Sequence, residues 1–148
     1  SLTGSGFLNF ISIAMKLKLF FALFATSFIF SAHVCKAQAD PKLLGKWQVL
    51  TKSETEKDGP IVIESKNKIY TAGQKTYEFS DKSVVISETG DEVKTKPVTY
   101  SDHSLTIGDN KYTYSVDGKK LRLIEVETKT KKGKSIVVTE EYVLERIQ

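Results

Sequence analysis

The chain has 148 residues, with 22 basic against 18 acidic side chains, 40% hydrophobic residues and a single cysteine. The length argues against several domains, the lone cysteine against a disulfide-stapled scaffold, and the apolar content against a disordered chain. These averages hide a split: residues 1 to 39 hold no Asp or Glu, seven of the eight Phe and only three lysines, Lys16, Lys18 and Lys36.

Met15 is the only methionine. Lys16 and Lys18 follow it, then the apolar run Leu19 to Phe30 and the tripeptide Ala37-Gln38-Ala39, which is the layout of a secretory signal-peptide helix over residues 15 to 39. The charged segment holds one end at the anionic membrane face, the apolar stretch partitions into the bilayer, and the small residues fit a peptidase that would cut before Asp40. The run of twelve residues is short of the roughly 20 needed to cross the hydrocarbon core, so no stable membrane span is expected after cleavage. Residues 1 to 14 precede the only start residue and are taken as an upstream segment outside the fold. Cys35 offers a rival, acylation after cleavage just before it. Ala32-His33-Val34 lack the upstream Leu and the small preceding residue usual there, so ordinary cleavage and a periplasmic or secreted location are favoured.

What remains, residues 40 to 148, is a single expected domain of 109 residues; setting the three leader lysines aside leaves 19 basic against 18 acidic side chains, net +1. Interleaved charges of both signs give no electrostatic footprint for nucleic acid. Lys129, Lys131, Lys132 and Lys134 surround Gly133 and read as a solvated hairpin tip.

The first strand is expected over Lys46 to Ser53. Pro60 to Gln74 does not alternate cleanly, and Ile61-Val62-Ile63 with Ile69-Tyr70 leaves a short strand, a helical turn and a lid over a barrel mouth all open. Beyond it, β-rich runs recur about every ten residues: Thr76 to Phe79, Ser83 to Ser87, Glu92 to Tyr100, Ser104 to Ile107, Lys111 to Val116, Lys120 to Lys129 and Ser135 to Arg146. Turn residues separate them, and Asp117-Gly118 is the clearest two-residue hairpin signal. Eight consecutive strands predict an all-β fold, an eight-stranded antiparallel up-and-down meander barrel, because closure removes the exposed sheet edges. In the last run Ile136, Val138, Glu140, Tyr142 and Leu144 share one face. Leu121 and Leu123 followed by Ile124 and Val126 break phase, which predicts a bulge, and Pro97 inside a run calls for a bulge or an unpaired amide.

The domain opens Leu43-Leu44-Gly45-Lys46-Trp47, and this Leu-x-Gly-x-Trp start before a strand meander resembles the lipocalin-like proteins of the calycin group, in particular small bacterial members that follow a signal peptide. The resemblance implies that Gly45 allows a tight approach to the first strand, that Trp47 plugs the closed end, and that Arg146, near the end of the last strand, packs over Trp47. A guanidinium over an indole face has its own cation–π rationale. Two departures, the short chain without a segment after the last strand and the lack of cysteines in the domain, predict a narrow lumen. An eight-stranded barrel holds filling side chains or one small ligand.

Catalytic chemistry finds little support. His103 stands alone in a turn, where an exposed histidine is the favoured reading over a triad member. Asp91-Glu92 and Glu140-Glu141 are adjacent pairs whose members point to opposite faces of a strand. No metal spacing or phosphate loop is present, so neither metal nor cofactor is expected. The positive candidates are Tyr77, Tyr100, Tyr112, Tyr114 and Tyr142, which combine apolar area with a hydroxyl and suit either a ligand-lined lumen or a core with a wet end. The expected function is non-enzymatic binding of a small hydrophobic or amphipathic molecule in the lumen. The alternative is a filled barrel acting on an envelope protein partner through its surface, with Glu54 to Gly59 or the lysine tip as the contact.

Overall fold

The computed structural model describes residues 37 to 147. Turns built on glycine, aspartate and lysine cut the chain after Leu44 into nine strands. These are β1 (Gly45–Asp58), β2 (Ile61–Ile69), β3 (Lys75–Phe79), β4 (Ser83–Glu88), β5 (Lys94–Ser101), β6 (Ser104–Ile107), β7 (Asn110–Asp117), β8 (Lys120–Lys131) and β9 (Lys134–Arg146). All pair antiparallel in meander order, and β9 returns to β1, so β1 and β3 to β9 close an eight-stranded barrel. β2 stands outside that ring.

The strand that makes this possible is β1. Its first residues, Gly45 to Gln48, pair with β3, and Thr51 to Asp58 pair on the same edge with β2, while β9 follows the other edge throughout. A bulge between Val49 and Thr51 leaves Leu50 extra in the β9 ladder at the changeover, adding local twist where β1 leaves the ring. The outer halves of β8, β9 and β1, with β2, continue as a four-stranded blade past the ends of β3 and β7.

Two hairpins show how the turns are encoded. Lys132 and Gly133 both have positive φ, 50° and 77°, the type I′ pattern whose twist matches the flanking strands. Between β7 and β8 the ladder closes at Asp117 opposite Lys120, so the two central residues are Gly118 and Lys119, one place later than the sequence signal; Gly118 alone is left-handed, at φ 56°.

The core lies at the end of the barrel where the chain enters. Trp47, Leu43, Leu105, Leu121, Leu123, Leu144, Val49 and Val84 are fully buried there. Ala39 joins this cluster and Ala37 bridges to Tyr100, while residues 15 to 36 of the expected leader lie outside the described residues.

Two expectations change and two that stood open are decided. Ile61–Ile69 is a nine-residue strand, exposed along its whole length, so neither face imposed a period. Glu54 to Asp58 is the outer half of β1 and not a loop. No bulge follows Leu123: the β7–β8 and β8–β9 registers run unbroken, Glu125 points inward beneath 6% exposure, and Val126 faces out at 62%. The phase broke because the lumen holds a carboxylate. Pro97 needs no bulge either, since it stands where the β5–β6 ladder ends, and its carbonyl accepts the Gly108 amide at 2.9 Å.

Candidate functional site

Inward positions of seven strands meet at the open end of the barrel around a cavity of about 410 Å³. β3 contributes Lys75 and Tyr77, β4 Ile86, β5 Lys94 and Lys96, β6 Ile107, and β7 Asn110 and Tyr112. The long strands complete the wall with Glu125, Glu127 and Lys129 from β8, and Val138, Glu140 and Tyr142 from β9. Tyr77 and Tyr142 belong to this wall and to the hydrophobic core at once, their ring centroids 6.2 Å apart in an edge-on arrangement. The cavity therefore has an aromatic floor beneath a charged rim.

Most of the rim charges are answered from within. Lys75 Nζ lies 2.9 Å from Glu88 Oε2, Lys129 Nζ 3.0 Å from Glu127 Oε2, and Lys52 Nζ 3.0 Å from Glu140 Oε2. Lys94 and Lys96 have no acidic partner among the described residues, so the wall keeps a surplus of positive charge on β5.

The carboxylates differ in character. Burial pushes Glu125 up, only partly opposed by the Tyr112 hydroxyl. Burial pushes Glu140 up as well, but the Lys52 ammonium together with the hydrogen bond from Tyr142 outweighs it, leaving Glu140 below the usual carboxylate range. Tyr142 donates to Glu140 Oε2 at 3.3 Å. Burial raises Tyr112 to about 12 and also raises Tyr77 and Tyr142, so all three stay neutral phenols able to donate and accept.

The five nominated tyrosines separate into two groups. Tyr77, Tyr112 and Tyr142 line the cavity. Tyr100 and Tyr114 anchor the closed end instead: Tyr100 donates to the Ser80 carbonyl at 2.6 Å, and Tyr114 donates to Asp40 Oδ2 at 3.4 Å. Gly45, Trp47 and Arg146 come together there too. Gly45 has φ 111°, a conformation other residues rarely adopt. Trp47 donates Nε1–H to the Leu43 carbonyl at 2.8 Å, and the Arg146 guanidinium sits 4.2 Å over its ring. Arg146 also donates to the carbonyls of Leu44, at 2.7 Å, and Lys42, tying the entering chain across the plug.

His103 lies in its turn at φ 53°, with its side chain 87% exposed and Asp102 3.3 Å away. At the hairpin tip Lys131 holds Glu56 with contacts of 2.6 and 2.7 Å, and Lys134 holds Asp58 at 2.9 Å. Sequence reasoning missed a row that only register creates. Glu140 stands directly opposite Glu54 on one side and Glu125 on the other, three carboxylates abreast across β1, β9 and β8. It also missed Tyr70, buried beneath Lys68, whose Nζ is 4.4 Å from the ring. A strict pairing of the hairpins from Asp117 backward would have placed Glu125 inside.

Compared with known proteins, the chain matches no family model, no curated protein and no solved structure.

Proposed function

We propose that this is an exported, lipocalin-like, non-enzymatic barrel that holds a small amphipathic molecule in its mouth, apolar body on the tyrosines and anionic end at the β5 rim. The observation that carries this reading is the cavity of about 410 Å³, with an aromatic floor and two lysines, Lys94 and Lys96, that no acid among the described residues answers. Each 100 Å² of ligand surface buried against Tyr77, Ile86, Ile107 and Tyr142 contributes about 2.5 kcal/mol. The Trp47 plug under Arg146 and the eight-stranded closure support the lipocalin-like likeness. The leader layout from Met15 to Ala39 supports export.

The test is a titration of the full chain with decanoate and with decanol, followed by melting temperature and by the emission of Trp47, which lies across the ladder from Tyr77. Decanoate should bind saturably and more tightly than decanol, and Lys94→Glu with Lys96→Glu should abolish that preference. Binding of neither compound up to roughly 1 mM, or a preference that survives both substitutions, would sink the reading.

The second reading is a barrel that acts on an envelope protein through its surface. The exposure of all nine β2 residues favours it.

A further inference from the structure

Among the described residues no strand pairs with the outer edge of β2. It terminates the sheet, and four of the eight exposed large hydrophobics among the described residues sit on it: Ile61 at 65%, Val62 at 53%, Ile63 at 51% and Ile69 at 75%. The Tyr70 amide donates to the Leu50 carbonyl at 2.9 Å. By strand alternation from that bond, Lys68, Lys66 and Glu64 turn their main-chain groups toward β1, and Ile69, Asn67 and Ser65 turn theirs to solvent, up to a bulge at Ile63 where the alternation breaks.

Glu64 and Lys66 flank Ser65, so a twofold axis through Ser65 sets their opposite charges against each other. We propose that β2 pairs antiparallel with β2 of a second copy, with Ser65 opposite the partner's Ser65. Glu64 then faces the partner's Lys66, and Lys66 faces the partner's Glu64. The same register sets the solvent-directed amide and carbonyl of Ser65 against those of the partner's Ser65, so the sheet continues through both molecules as isologous strand addition.

Natural sheets guard an open edge with lysines that lean across it. Lys66 and Lys68 of β2 are engaged along the surface of their own molecule instead. Lys66 reaches Glu54 at 3.5 Å and Glu64 at 3.0 Å, and Lys68 reaches Glu88 at 3.0 Å, all within its own molecule. The edge is left open, and the occupant whose charges match it is another β2.

Sedimentation velocity on the full chain over a concentration series tests this, with near-ultraviolet dichroism of Trp47 checking that each variant folds. The wild type should dimerise reversibly. Glu64→Lys and Lys66→Glu each place like charges opposite one another twice per dimer, and each should raise the dissociation constant about tenfold. An equimolar mixture of the two variants restores both opposite-charge pairs and should regain wild-type association. Ser65→Pro removes an amide that β1 does not use and should abolish dimers while leaving the barrel folded. A wild type that stays monomeric up to roughly 1 mM, a mixture no tighter than either variant alone, or dimers that persist in Ser65→Pro would each overturn the proposal.

Discussion

Replacing Arg146 tests the reasoning about the closed end most directly, because one side chain there does three separable things. Its guanidinium lies 4.2 Å over Trp47, and its fork donates to the Leu44 carbonyl at 2.7 Å and to the Lys42 carbonyl. A cation–π contact over a buried indole contributes about 1 kcal/mol, and a charge-assisted hydrogen bond about 1.5 kcal/mol, less for the exposed bond to Lys42. Arg146→Ala should therefore lose about 3 kcal/mol, a large share of the stability of a domain this size. Arg146→Lys keeps the charge but cannot stack a planar group or bridge two carbonyls, and should lose about 2 kcal/mol. Urea unfolding followed by Trp47 emission measures both, and in the alanine variant the folded-state emission should shift to the red as water reaches the ring. A loss under about 1 kcal/mol in Arg146→Ala, or a lysine variant equal to wild type, would refute the clamp.

Three further outcomes follow from the charges and the chain start. Glu125 has its folded-state carboxyl raised by burial, so ionising it is harder in the fold than in the unfolded chain, and stability falls as pH rises through the carboxylate range; Glu125→Gln should gain melting temperature over wild type near about pH 7 and not near about pH 4. Glu56 is held below the usual range by the Lys131 hydrogen bond, a contribution present at neutral pH and lost as pH falls through the folded value, so Lys131→Met should be less stable at neutral pH and show a flatter acid limb in thermal melts. A chain starting at Asp40 gives up the Ala37 bridge to Tyr100 and the buried Ala39 methyl, and should unfold about 1 kcal/mol more easily than one starting at Lys36, read by urea denaturation.

The meander was legible because its punctuation is local. Gly118 and Gly133 announce hairpins through backbone conformations that few other residues adopt, and between such turns alternation sorts Leu121, Leu123, Leu144 and Val138 to the inside. Legibility ended where a residue's neighbours come from another strand. Glu125 reads as an outward position because a carboxylate seldom points into a lumen, and it made Ile124 and Val126 look like the inner pair. β2 could not be recognised by period because both of its faces meet solvent. The split of the tyrosines into a mouth group and an anchoring group depends on height along the barrel, which inward or outward facing does not encode.

The low apolar content of residues 40 to 148, roughly 32% against an ordinary share nearer half, left open whether such a barrel is filled or hollow. Its solution is uneven filling. The fully buried large side chains, Trp47 with Leu43, Leu105, Leu121, Leu123 and Leu144, are gathered at the closed end, and the open end is walled by charges that largely neutralise one another: Lys75 with Glu88, Lys129 with Glu127, Lys52 with Glu140. Partly exposed ion pairs of this kind contribute little to stability, so the mouth is held by the β ladder around it and not by its own contents. A wall that does not depend on what fills it can exchange water for a ligand without unfolding. In that wall Lys94 and Lys96 are the cations that no acid of the barrel answers among the described residues, and the anionic end of the proposed ligand is what would complement them.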